Sequence, residues 1–225
     1  KILIFYILLT LIIFFIYNIF EFRSFISLNL ALSVISSGGF LPTNNLSSIL
    51  NNELKINLFS LTLLISFFGL FFLYNVFLIK NKGLKSIQED LYLLFYLLFV
   101  YSIFFIFSDK NIDFNYLFLA ISSSVSNVGI SLEKTPQKFA FIFLLLIIVG
   151  GSFFSTSSGL RFVKIYSLIK FSINELISHS KPKNIFLNKL AFSDKNMNLD
   201  DFYKYFLTII IFIISLIILS SILSI

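Results

Sequence analysis

The stretch Ser33-Val34-Ile35-Ser36-Ser37-Gly38-Gly39-Phe40-Leu41-Pro42 limits the possible folds of this chain more than any other, because of what flanks it. Residues 2–20 before it carry no charge, residues 56–79 after it are again apolar, and each run is long enough to cross a bilayer. Paired glycines followed by a proline cannot continue a helix, and lipid offers no partner for the amides and carbonyls that are released. A non-helical loop at membrane depth survives only when it is buried in protein or lines a wet cavity. A polar, glycine-bearing loop in that setting predicts an ion filter, in which carbonyl oxygens replace a cation's hydration shell. A plain turn between spans is the blander alternative. The pattern returns ninety residues on, in Ser123-Ser124-Val125-Ser126-Asn127-Val128-Gly129-Ile130: Ser33/Ser123, Ser36/Ser126 and Gly39/Gly129 coincide, and Val125 stands for Ile35. Two copies of so unusual a loop favour the filter reading and predict a repeated architecture.

Charged residues make up 12% of the chain and hydrophobic ones 58%, against about 25% charged in a soluble domain. The chain is therefore read as an all-α integral membrane protein with several spans. With no cysteine, disulfides, thiolate metal sites and cysteine nucleophiles are excluded. The net charge of +6 reads as cytoplasmic loop charge, with no nucleic-acid partner. The 32 phenylalanines read as lipid-facing and packing surface. The first residue is Lys1, and the chain is read as processed or as a fragment.

Residues 24–36 are too few to span and predict a re-entrant helix that stops at Gly38-Gly39. Residues 56–79 form the second span, with Gly69 as a point of close helix packing. Lys80 to Asp90 reads as a short basic hinge, and residues 91–108 as the third span. Asp113 is expected to cap a second short helix, 114–126, through its carboxylate. A further span starts at 139 and is interrupted at Gly150 to Gly159, about halfway across at 1.5 Å per residue. Arg161, Lys164 and Lys170 follow on a partly apolar helix, then a polar stretch from Asn174 to Asp201, then a last span at 205–225. Lysine and arginine crowd the hinge and the segment 161–204, which the positive-inside rule places in the cytoplasm. Both loops then enter from outside, and the units repeat in parallel around an axis.

The spans hold no Asp, Glu, Lys, Arg or His. That argues against a proton pump and against an intramembrane hydrolase, which needs a base or metal ligands, so the chain is not read as an enzyme. Backbone oxygens, hydroxyls and helix dipoles remain, and these suit a bare monovalent cation. Each short helix aims its partially negative C-terminal end at the loop after it. His179, alone in a polar stretch, reads as a solvated side chain.

These motifs resemble the Trk/Ktr/HKT superfamily of potassium transporters, and within it the bacterial TrkH type. The family's second filter reads much like Ser36-Ser37-Gly38-Gly39-Phe40, and its third is matched by Ser126-Asn127-Val128-Gly129-Ile130. Its intramembrane gating loop falls on Gly150-Gly151-Ser152-Phe153-Phe154-Ser155-Thr156-Ser157-Ser158-Gly159-Leu160-Arg161. Phe154 and Ser157-Ser158 stand where the family has glycines, Asn127-Val128 where it has hydroxyl residues, and Arg161 where it has lysine.

The resemblance implies a pseudo-fourfold, potassium-channel-like pore of span–half-helix–span units, incomplete here. Residues 1–80 would be the second unit, 81–180 the third with the gating loop at 150–159, 181–204 a cytoplasmic linker and 205–225 the first helix of the fourth. It implies potassium as the transported ion, with no cofactor. The ion would be held by the backbone of Ser37, Gly38, Gly39, Phe40, Asn127, Val128, Gly129 and Ile130. Gating would fall to Gly150, Gly151, Ser152, Ser155, Thr156, Ser157, Ser158, Gly159 and Arg161. It implies a multi-pass protein among the lipids of the bacterial inner membrane, a homodimer, and a cytoplasmic nucleotide-binding regulatory subunit of the TrkA-like kind. The competing readings are a secondary transporter of a small solute with broken midplane helices and a non-transporting membrane scaffold.

Overall fold

A computed structural model describes residues 2–43, 46–68, 84–107, 113–132, 139–152, 155–178 and 199–223. They form an all-α fold: α1 (Ile2–Ile19), α2 (Ser24–Ser36), the single turn α3 (Leu46–Ile49), α4 (Glu53–Phe67), α5 (Leu84–Phe107), α6 (Phe114–Ser126), α7 (Ala140–Ile148), α8 (Phe162–Ser178) and α9 (Leu199–Leu223). The chain falls into two compact units, Lys1–Gly159 and Leu160–Ile225.

In the first unit α1 is an apolar helix in which Thr10 and Asn18 bond to the helix's own backbone. Thr10 donates to the carbonyl of Tyr6 at 2.7 Å and the Asn18 amide to that of Phe14 at 3.0 Å, so these donors are paired within the helix. At its end Glu21 takes a left-handed conformation, and the chain reverses into α2. With 13 residues, α2 is about 20 Å long, short of the roughly 30 Å of hydrocarbon. Leu9, Ile13 and Tyr17 of α1, Leu30 and Val34 of α2, and Phe59 and Leu63 of α4 are buried against one another. Leu119 of α6 completes that core with Val128, Ile130 and Leu132 of the loop that follows. The α5 helix packs through Tyr101, whose hydroxyl lies 3.0 Å from that of Ser122 on α6. It packs also through Phe104, which stacks on Phe143 of α7. Outward-facing positions stay apolar, with Phe15, Phe95 and Phe99 all exposed, the pattern of a surface solvated by acyl chains.

Among the described residues, two helical segments, Gln88–Phe107 and Asp200–Ile222, are long and apolar enough to cross a membrane. In the second unit α8 packs on α9, with Phe171 and Phe202 ring centroids 4.8 Å apart and Leu168 buried beside them. Asp200 and Asp201 lie in the first turn of α9, where acidic side chains complement the helix dipole.

Several sequence expectations shift. The second span, read as 56–79, begins as helix at Glu53 and stops at Phe67, with Phe68 extended (φ −76°, ψ 156°). Gly69 and residues 70–83 lie outside the described residues. The basic hinge does not run to Asp90, because α5 starts at Leu84 and buries Glu89 and Asp90. After Gly83 nothing in Leu-Lys-Ser-Ile-Gln-Glu-Asp breaks a helix, so the apolar segment extends backward. The last span likewise begins early, at Leu199. Asp113 makes no side-chain cap bond; its extended backbone starts α6 as that of Arg23 starts α2, with φ/ψ of −63°/124° and −61°/137°. His179 and Lys181-Pro182-Lys183 lie outside the described residues.

Candidate functional site

The two short helices, α2 and α6, each have 13 residues and end ninety positions apart. Ser37 N–H donates to the carbonyl of Val34 at 3.2 Å and Gly38 N–H to that of Ser33 at 3.0 Å. Ninety residues on, Asn127 N–H donates to Ser124 at 3.2 Å and Val128 N–H to Ser123 at 3.2 Å. This is the Schellman closure, in which a left-handed residue turns the chain out of the helix and its amides consume two of the last carbonyls. Ser37 (φ 51°) and Asn127 (φ 59°) are that residue, and Gly39 (φ 69°) and Gly129 (φ 74°) are left-handed two positions later. Most side chains resist φ above zero, whereas glycine adopts it freely.

The loops meet. A Cβ added to Gly39 would collide with the carbonyl oxygen of Val128, so residue 39 must be glycine for space as well as for φ. A Cβ on Gly129 would meet nothing within 4 Å. Val128 and Ile130 are 5% and 3% exposed. Their side chains are thus spent anchoring the second loop, and Gly129 between them stays open. No ionisable residue occurs in 33–43 or 123–132, so the negative ends of α2 and α6 are not neutralised from within the loops. Ser33 Oγ, Ser37 Oγ and Asn127 Oδ1 are buried without a hydrogen-bond partner, all at these helix ends. Such orphaned oxygens are costly in a dry interior.

The third element is the break after α7. Where α4 stops, its last carbonyls lose their intrahelical partners, and this loop supplies new ones. Ser152 N–H donates to the carbonyl of Phe67 at 3.2 Å and Ser157 N–H to that of Ser66 at 3.2 Å. Inside the loop Gly151 N–H donates to Ser157 Oγ at 2.9 Å, and Ser155 Oγ donates to the carbonyl of Ser152 at 2.8 Å. Thr156 is half-buried, with its hydroxyl 3.4 Å from the Ser66 carbonyl. Gly151 has no room for a Cβ, which would strike the Phe67 carbonyl oxygen and approach Ser155 Oγ to 2.7 Å. Gly150 is buried, and Gly159 (φ 88°) closes the unit with a Cβ position only 2.9 Å from the Ile147 carbonyl oxygen. At that end Asn127 Nδ2 donates to the carbonyl of Ser158 at 2.8 Å.

Among the described residues, those singled out from sequence are thus brought into one neighbourhood, with two exceptions; Phe153 and Phe154 lie outside the described residues. Phe40 is 80% exposed and makes no contact with the core. Arg161 belongs to the second unit, where its carbonyl accepts from Lys164 N–H at 2.9 Å at the start of α8. Sequence reasoning missed the carbonyls of Ser66 and Phe67 that the end of α4 frees. The signal was Phe67-Phe68-Gly69, where an isolated glycine within an apolar run marks a place to stop.

No protein-family model matches the chain, and no curated protein matches it in sequence. The solved crystal structure of the potassium transporter TrkH from Vibrio parahaemolyticus is similar, with a TM-score of 0.72 at 16% identity. The similarity covers 85% of this chain and 43% of that one. The chain therefore has a TrkH-type fold and spans less than half the length of that transporter.

Proposed function

We propose that this chain is part of a pore-forming subunit that passes potassium across a bacterial inner membrane. Ser37, Gly38, Gly39 and Phe40, with Asn127, Val128, Gly129 and Ile130, lend main-chain oxygens as two sides of the filter. The segment Gly150–Gly159 gates the path beneath them. The observation that carries this reading is the pair of equal half-helices whose left-handed loops meet at Gly39 and the Val128 carbonyl. Uncharged loops at two negative helix ends suit a dehydrated monovalent cation and repel an anion. The fold shared with a potassium transporter agrees with it. The reading extends to a homodimer served by a nucleotide-binding cytoplasmic partner.

The full-length parent, reconstituted in liposomes, tests it. Potassium or rubidium uptake should exceed that of empty vesicles and be inhibited only weakly by sodium, and Gly39→Val should abolish it. Uptake equal to that of empty vesicles, or unchanged by Gly39→Val, would refute the filter.

A further inference from the structure

We propose that Asn127 is a positioning residue: its carboxamide latches the intramembrane loop to the second filter loop, so that the two move together while the bond holds. The inference rests on the filter-and-gate reading above and adds a named coupling to it.

The backbone does not require asparagine at 127. Ser37 does the same work in the first repeat, with φ 51° against 59° and the same two closing hydrogen bonds. What the carboxamide adds is reach. Asn127 Nδ2 donates across 31 residues of sequence to the Ser158 carbonyl at 2.8 Å, and the Gly159 Cβ position lies 3.1 Å from the same nitrogen. Any side chain at 159 would crowd this amide, which gives the glycine there a second reason beyond its φ of 88°. The opposite oxygen, Oδ1, is buried with no partner, so one bond alone orients the carboxamide.

Apart from the 3.4 Å bond from the Thr156 hydroxyl to the Ser66 carbonyl, the other anchors of the loop differ in kind. Ser152 and Ser157 bond to the end of α4 through main-chain amides, which no ordinary substitution removes. Those bonds hold the loop to the outer scaffold, while Asn127 ties its last residues to the filter. One end can therefore release while the other stays docked, and the releasable end is the one that touches the ion path.

The test uses the full-length parent, freed of any native cysteine and carrying Ser158→Cys, a position that is exposed. Thiol-modification rate at 158 reads the loop directly and needs no transport. Asn127→Ser copies the first repeat, and Asn127→Asp keeps the shape but turns the donor into an acceptor that faces the Ser158 carbonyl. A net hydrogen bond of this kind corresponds to about a fivefold change in equilibrium. Both variants should raise the modification rate by about that factor, and Asn127→Ser, which adds no charge to the filter loop, should raise basal potassium flux with an unchanged potassium-to-sodium ratio.

An unchanged modification rate overturns the latch. So does an altered ion ratio without a change in rate, which would make Asn127 a filter residue only. Failure of Asn127→Ser to fold, judged by melting in detergent, also overturns it, because the carboxamide would then serve the fold itself. If the rate responds but the parent carries no potassium, the transport reading fails and the latch stands.

Discussion

Phe40 and Ile130 hold the same place in the two loops, ninety residues apart, and meet opposite fates: Phe40 is 80% exposed and Ile130 3%. The glycines beside them differ as well. Gly39 presses against the Val128 carbonyl, whereas Gly129 faces open space. The half-helices, their closing hydrogen bonds and the left-handed residues are the same in both repeats. Local hydrogen bonding dictates the backbone of each repeat, and its neighbour dictates what the side chains do. The second loop buries Val128, Ile130 and Leu132 in the core of the first repeat, while the first loop gives that core only a partly buried Leu41.

The asymmetry is easiest to break at the glycines. Gly39→Ala combines a left-handed strain of about 1–2 kcal/mol with a collision against main chain, and should cut potassium flux in the full-length protein by more than tenfold. Gly129→Ala carries the strain alone and should retain measurable flux. Equal losses in a liposome uptake assay would show that φ matters and the contact between the loops does not.

Side-chain truncation gives the next effect. Ile130→Ala removes a buried side chain from the shared core and should cost about 2–4 kcal/mol, chiefly in lost packing. Phe40→Ala should cost almost nothing in the described fold. Unfolding in detergent measures both. A cost at Phe40 as large as that at Ile130, in the full-length parent, would sharpen the comparison by showing that another segment covers the first loop as the first repeat covers the second.

The smallest effect concerns Tyr17, buried on α1, whose hydroxyl meets that of Thr62 on α4. Its counterpart by the repeat is Phe107, which has no hydroxyl. Thr62 also donates to the Phe59 carbonyl at 2.7 Å, so Tyr17→Phe strands no partner. It should lower stability by about 1 kcal/mol or less, seen as a small shift in melting temperature. A larger drop would mean that the α1–α4 contact depends on this bond.

Much of this architecture was legible along the chain. The half-helices at 24–36 and 114–126 coincide with α2 and α6, because a Ser-rich run ending in glycine marks both their length and their stop. The break at Gly150 also shows, since α7 ends at Ile148. The halt of α4 at Phe67 was hidden by the apolar residues that continue past it. The early start of α5 was hidden by polar residues, which resemble a loop when burial is unknown.

What the residues determined by themselves is what depends on nearest neighbours: apolar runs too long for anything but lipid or core, short helices with a Schellman end, and glycine where φ turns positive. These follow from bonds between residues five apart or fewer. Only the tertiary structure decided that Gly39 meets Val128, that the carbonyls of Ser66 and Phe67 are completed by Ser157 and Ser152, and that Asn127 reaches Ser158. Those contacts join segments 31 to 91 residues apart. A freed carbonyl accepts any amide the packing brings to it, so no local pattern names its partner.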